Sequence, residues 1–306
     1  MKDIRRTIAT FFALLAFPVA AYCGGAWVMD PGKVDVSLGF SRKTANTSWD
    51  AQGNYLLHVA PFNGVPARQN HDFRYTYLSG EIGLLPRLSG TFLVNYLYGL
   101  EGPHANEEKN VGFTDSWFGL KLSLTKGNWP MALDLNTRSP ILYDFPGPYN
   151  RYILDSKGNR IGVSPKWRGL LKHDYTLGYM VSHSYLNGEG WMNFEAGYTW
   201  RQGAPADAIP AWAEVGYPLH WHGIAVKGAL GFVHSLNDDT PAQPDDRFGS
   251  RPTYNFNNAS MLKAGVGFII PVHGSNNNLE IGYNQWIWGR SARQYREPYL
   301  SIGTRF

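Results

Sequence analysis

The sequence predicts an all-β fold: about twelve antiparallel strands joined up and down into one closed transmembrane β-barrel, with lipid against its outside. Three observations predict it. Segments of strand length alternate apolar with polar residues through most of the chain, as a half-buried strand requires. The 306 residues are 15% aromatic and only 17% charged, with 34 glycines, a mixture that suits aromatic girdles at two membrane interfaces. Finally, the chain runs Pro298-Tyr299-Leu300-Ser301-Ile302-Gly303-Thr304-Arg305-Phe306 to its last residue. That strand sets Phe306, Thr304, Ile302, Leu300 and Pro298 on one face. Unpaired, it is an apolar edge open to other chains; pairing with the first strand inside a membrane removes the edge.

The chain begins with a targeting pattern. Lys2, Arg5 and Arg6 form a positive region, and Ile8 to Ala21 is an apolar run of about 14 residues, too short to span a bilayer as a helix. A cleaved signal peptide over residues 1–23 is expected, then a single barrel over residues 24–306. Val19-Ala20-Ala21 fits a cut before Tyr22, and a cut after Cys23 is the alternative. Acylation of Cys23 asks for a small residue before it, where the chain has Tyr22. Cys23 is the single cysteine, so no disulfide and no thiolate metal site is expected, and no cofactor. About half of the net charge of +4 lies in the leader, so nucleic acid is not an expected partner. No later run of about 18 apolar residues occurs, which excludes helical spans.

The strands follow in order. Lys33 to Ser41 alternates Val34, Val36, Leu38 and Phe40 with Asp35, Ser37, Gly39 and Ser41. Asp72 to Leu84 begins with Phe73, Tyr75 and Tyr77 on the apolar face and then changes phase to Leu78, Ile82 and Leu84, predicting a bulge at Ser79-Gly80. Leu88 to Glu101 aligns Phe92, Val94, Tyr96 and Tyr98. Val111 to Leu124 aligns Phe118, Leu120, Leu122 and Leu124, and Trp129 to Arg138 aligns Met131, Leu133 and Leu135. Asp174 to Tyr185 aligns Tyr175, Leu177, Tyr179 and Val181. Trp191 to Arg201, Asp207 to Tyr217, Ile224 to His234, Met261 to Ile270 and Leu279 to Ile287 repeat the pattern before the terminal strand.

Connections around Pro86, Lys126-Gly127, Asn187 to Gly190, Pro218 to His222 and His273 to Asn278 are short. Those at Arg42 to His71, Ser139 to Trp167 and Asn237 to Asn258 are long and polar. Short and long alternate, with Gln202 to Ala206 as the exception, if the first strand runs outward. Both termini are then expected on the periplasmic side of the outer membrane of a Gram-negative bacterium. A soluble lipocalin-like barrel or a β-sandwich has no reason to sort its loops so.

Several short motifs resemble a family. Gly25-Ala26-Trp27 and the turn Asp30 to Lys33 with its following strand are similar to its opening, and Trp49-Asp50-Ala51-Gln52-Gly53-Asn54 to one of its loops. Glu81-Ile82-Gly83-Leu84-Leu85-Pro86-Arg87-Leu88 and Leu279 to Ile287 with Trp288-Gly289-Arg290 are similar to later stretches. The family is the outer-membrane transporter group related to the MetA proteins of phenol-degradation pathways. The resemblance implies uptake of small solutes, aromatic or hydrophobic ones among them, and carries over no functional residue. The terminal strand also resembles the assembly signal of bacterial outer-membrane barrels, which assigns that role to Tyr299 and Phe306 and makes the barrel assembly machinery a partner, beside outer-membrane lipid and lipopolysaccharide.

The polar phase nominates lumen-lining residues: Arg74, Glu81, Asp115, Lys121, Asp134, Asn136, Arg138, Asp174, Glu195, Arg201, Glu214, Lys227, Lys263, Glu280 and Arg305. An Arg or Lys on the lipid face would cost about 2–4 kcal/mol at mid-depth, so the phase itself argues for an interior. The acids and bases are nearly balanced, which fits either a polar conduction path or ion pairs that brace a plugged barrel. The expected function is passive movement of a small-molecule solute along the conduction path, with a plugged structural or binding barrel as one alternative.

An outer-membrane lipid hydrolase is the other, and needs a Ser activated by an oriented His. In Ser182-His183-Ser184 the His lies on the apolar face and the serines on the polar one; His273-Gly274-Ser275 falls on a turn. No catalytic residue and no metal ligand is therefore assigned. Asp238, Asp239, Asp245 and Asp246 read as a solvated loop rather than a Ca²⁺ site. The loop after Ser139-Pro140 carries Leu142, Tyr143, Phe145, Tyr149 and Tyr152. It is expected either to fold inward near Arg138 as a gate or to rest at the outer interface.

Overall fold

The computed structural model describes residues 25–49, 52–57, 59–62, 65–68, 70–102, 108–140, 142, 150–154, 160–165, 173–202, 206–219, 221–237 and 259–306. The leader with Cys23, the four loop aspartates and Tyr143, Phe145 and Tyr149 lie outside them.

Among the described residues twelve antiparallel strands form the barrel: β1 Val34–Ala45, β2 Asn70–Leu85, β3 Leu88–Gly102, β4 in two segments Glu108–Phe113 and Ser116–Thr125, β5 Met131–Ser139, β6 Asp174–Tyr185, β7 Gly190–Arg201, β8 Ala208–Pro218, β9 Ala225–Ser235, β10 Ser260–Pro271, β11 Asn277–Arg290 and β12 Arg296–Arg305. Each pairs with its neighbours in sequence, and β12 closes the ring on β1 with Val36 opposite Thr304, Leu38 opposite Ile302 and Phe40 opposite Leu300. Beyond the last ladder pair, the Phe306 N–H donates to the Val34 carbonyl at 2.8 Å. Closure leaves no unpaired strand edge, which a lipid environment demands.

The alternation read from sequence sets the two faces. Phe40, Leu78, Phe194, Leu230 and Leu300 point outward and stay exposed, with Leu230 at 52%. Directly opposite residues of antiparallel strands share a face, so one fixed pair carries its whole strand. That rule corrects β2. Its register against β1 is unbroken from Ala45–His71 to Val34–Ile82, and the irregularity lies instead at Gly83/Leu85, beside the turn. No bulge exists at Ser79-Gly80. Phe73, Tyr75 and Tyr77 therefore face inward.

Inward aromatics fit because a glycine lies beside each of two key rings. A Cβ on Gly39, the residue opposite Tyr77, would sit 2.1 Å from the tyrosine ring. One on Gly282, opposite Tyr299, would sit 2.4 Å from that ring. Glycine in a strand here marks close approach by a side chain.

β4 is not the single run that alternation suggested. Both segments pair with β3, but the register steps by one residue across Thr114–Asp115. The step turns Asp115 into the interior, where it is 1% exposed. Five short turns lie at one end of the barrel. At the other, short hairpins extend the loops: Thr47–Trp49 with Tyr55–Leu57 and Ala292–Arg293, Val59–Phe62 with Val65–Arg68, and Asn150–Leu154 with Arg160–Pro165. Three connections at this end are brief, 103–107, 202–207 and 291–295, so the alternation of short and long has more exceptions than Gln202 to Ala206. In 202–207, Asp207 accepts from the Tyr198 hydroxyl at 2.6 Å and the Arg201 amide at 2.9 Å. These bonds hold its carboxyl below the ordinary carboxylate range.

Candidate functional site

The interior is the candidate site, and its two halves are built differently. In the short-turn half the charges pair off. Lys121 meets Glu81 at 2.5 Å, Arg305 meets Asp35 at 3.6 Å, and Lys227 bridges Glu280 at 2.7 Å and Glu214 at 3.4 Å. The Trp191 indole N–H also donates to Glu214 at 2.8 Å. In the long-loop half Arg138 holds Asp115 at 2.6 Å, Asp174 lies between Arg138 at 3.9 Å and Arg201 at 3.8 Å, and Lys43 meets Glu297 at 3.4 Å. Pairing is what buried charges require in a low dielectric.

Three nominated residues stand apart from these pairs. Asp134 accepts from the Asn136 amide and has no base within 4.0 Å among the described residues, and Glu195 has none either. Lys263 has no acid; its ammonium lies over the rings of Trp212 at 4.9 Å and Trp286 at 5.5 Å.

One nominated residue is misplaced. Arg74 shares the outward phase of Leu78, because it is paired with Arg42 across the β1–β2 ladder. It is 52% exposed, donates to Asp72 at 3.1 Å and lies over the Tyr98 ring at 5.7 Å. Arg42 joins the same carboxylate at 2.8 Å. Arg74 stands four residues beyond Leu78, about 13 Å along the strand, which puts the charge at the rim of the apolar band. The error came from reading three inward aromatics as lipid-facing. The proposed assembly residues also divide: Tyr299 faces the lumen against Gly282, while Phe306 is 46% exposed.

The stretch from Gly25 to Met29 runs inside the short-turn half. The Ala26 N–H donates to Ser182 Oγ at 2.7 Å, and Ser182 in turn donates to Asn193 Oδ1 at 2.8 Å. The Met29 N–H donates to Ser89 Oγ at 3.0 Å and Glu81 Oε1 at 3.1 Å. Lys121 donates to the Gly25 carbonyl at 3.1 Å, and Arg305 reaches Met29 Sδ at 3.3 Å. Ala26 is buried against Ala132 and Met180, and Trp27 packs on Trp191, Ala225 and Ile269. Sequence reading treated these residues only as a familial opening. No periodicity could reveal the docking, since the partners are lumenal serines far off in sequence.

Cavities remain among the described residues, two of them joined. One of about 370 Å³ touches Gly25, Glu195 and Glu214. A larger one of about 470 Å³ in the long-loop half touches Lys43, Trp117, Arg138 and Lys263. Tyr77, Trp212, Lys227 and Glu280 line both and form the waist between them. Lys43, Glu297, Tyr75, Tyr77, Trp117 and Trp286 are functional-site residues that sequence reasoning passed over. Carrying the inward phase of β1 and β12 one step further would have found Lys43 and Glu297. The register of Tyr77 with Gly39 would have found the tyrosine.

The catalytic alternative is testable in geometry. Ser182 is bonded inside the barrel, whereas His183 stacks on Trp129 outside, ring centroids 4.3 Å apart, with Nδ1 at 2.7 Å from the Asn128 carbonyl. The two cannot act as a pair. Ser139 Oγ lies 2.8 Å from His173 Nδ1 at the long-loop rim, but among the described residues no side chain bonds the other ring nitrogen.

No protein-family model matches the chain, and no curated protein matches it in sequence. Solved structures do match. An outer membrane channel from Pseudomonas putida F1 is 11% identical, with a TM-score of 0.64 over 94% of this chain and 100% of the other. The NanC porin is 9% identical, with a TM-score of 0.49 over 89% and 98%. The translocator domain of the autotransporter NalP from Neisseria meningitidis is 10% identical, with a TM-score of 0.48 over 91% and 90%. The first of these likenesses identifies the fold as that of an outer-membrane β-barrel.

Proposed function

We propose that the chain is an outer-membrane channel for passive movement of small solutes, with its long loops outside and both termini periplasmic. The observation that carries this reading is a wall apolar outside and polar inside, enclosing two cavities that meet at the waist formed by Tyr77, Trp212, Lys227 and Glu280. Paired charges line a path that water and polar solutes wet, and they leave no strong single sign to select ions. The full-length likeness to an outer membrane channel supports the fold on which the reading rests. Membership of the MetA-related transporter group belongs to the same proposal, on the motifs given above. So does a non-enzymatic role, supported by the opposite facing of Ser182 and His183. On the lipid side, the Arg42–Asp72–Arg74 cluster suits lipopolysaccharide head groups, and the exposed Phe306 suits the assembly machinery.

A second reading has its own observation. The Gly25–Met29 segment, tied to Ser182, Ser89 and Lys121 inside the short-turn half, makes the barrel a plugged one in its resting state. Liposome swelling with small uncharged sugars and benzyl alcohol separates the two. Swelling by the folded, reconstituted protein is the expected result. Folded, inserted protein that causes no swelling would establish the plugged barrel instead.

A further inference from the structure

The inward row Trp212–Gly231–Lys263–Trp286 crosses β8 to β11 at one register level. Gly231 separates the tryptophan from the lysine and has no side chain to interpose. A Cβ there would meet the Trp212 ring at 2.8 Å and Lys263 Cε at 3.5 Å. The lysine is thus held between two indole faces, at 4.9 Å from one and 5.5 Å from the other. Trp286 is itself fixed, its indole N–H on Met261 Sδ at 2.8 Å and its ring against Trp49 and Ala292.

Every other lumenal base has a carboxylate within 4.0 Å: Lys43, Lys121, Arg138, Arg201, Lys227 and Arg305. Lys263 alone among the described lumenal bases has none. Indole faces attract a cation but do not neutralise it, and a charge inside a barrel is costly until an opposite charge reaches it. The ammonium also borders the 470 Å³ cavity, a volume within the range of small-ligand sites.

We propose that this cavity binds an aromatic carboxylate, the carboxylate on Lys263 and the ring against Trp212. The lining carries four bases, Lys43, Arg138, Lys227 and Lys263, and three acids, Asp115, Glu280 and Glu297. The acids are paired with Arg138, Lys227 and Lys43, which leaves the positive charge of Lys263 in excess and disfavours a cationic ligand. A small anion with no ring would leave the indole faces unused. The inference rests on the channel reading, for which it names the solute class, but binding is measured apart from transport.

The test is calorimetric titration of the folded, heat-modifiable barrel in detergent with benzoate, acetate, benzyl alcohol and benzylammonium. Benzoate should bind, and each of the other three should bind at least about tenfold more weakly. Lys263→Met should weaken benzoate about tenfold or more while Lys263→Arg restores most of it, which separates loss of charge from loss of fold. Equal benzoate affinity in Lys263→Met, equal affinity for benzyl alcohol, or no benzoate binding by the folded protein would each overturn the proposal. Neutral-solute swelling without benzoate binding would sink this inference and leave the channel standing. Lys263-dependent benzoate binding without swelling would sink the channel and leave the site.

Discussion

The short-turn and long-loop halves of the lumen are made from the same residue types and do different work. In the first, Lys121 is 4% exposed and holds both Glu81 and the Gly25 carbonyl, so its charge is a structural fastener for the internal segment. In the second, Lys43 is 29% exposed beside an open cavity, and Lys263 has no acid within 4.0 Å among the described residues. What distinguishes them is the occupant. Where the chain's own backbone fills the barrel, Ser89, Ser182 and Lys121 are committed to holding it. Where nothing fills it, charge and aromatic surface are left for a solute.

That contrast can be broken by substitution. The largest effect is expected at Lys121→Met, which leaves Glu81 buried without its base and should cost about 3–5 kcal/mol. Adding Glu81→Gln should recover much of it, as thermal unfolding in detergent would measure. Gly39→Ala comes next. Its new Cβ meets the Tyr77 ring at the waist, an overpacking cost of about 1–3 kcal/mol, relieved when Tyr77→Ala is added. Lys43→Met should cost less, about 1–2 kcal/mol, because the Asn284 amide still donates to Glu297 at 3.2 Å and Lys263 remains as a nearby positive charge. A Lys43→Met barrel as unstable as Lys121→Met would erase the difference between the halves. The smallest effect belongs outside, at Arg42→Met. Its pair with Asp72 is an exposed one, worth about 0–1 kcal/mol and lost in high salt.

The wall was legible in the sequence because period-two alternation is a local signal. Phe194 against Glu195 and Leu262 against Lys263 state their faces without reference to any other strand. The failures came where the decision is non-local. Tyr75 and Tyr77 look lipid-facing by type, and only the register with β1 turns them inward onto the space over Gly39. Arg74 was misassigned by the same step. The Thr114–Asp115 irregularity has no composition signal, since neither residue is a glycine or proline. The internal segment was hidden for a different reason. Ala26 and Met29 bond through backbone amides, which every residue but proline carries, so no side-chain motif announces them.

The central claim is that the lumen is a solute path whose short-turn half is held by the Gly25–Met29 segment. Planar-bilayer recording of the wild-type chain beside a Ser89→Ala/Ser182→Ala variant tests it most directly. Each serine accepts one amide of the segment, and each loss should weaken docking by about 1 kcal/mol. The account predicts small discrete conductance steps for the wild type and larger or longer openings for the variant. Two silent proteins, both folded and inserted, would contradict it.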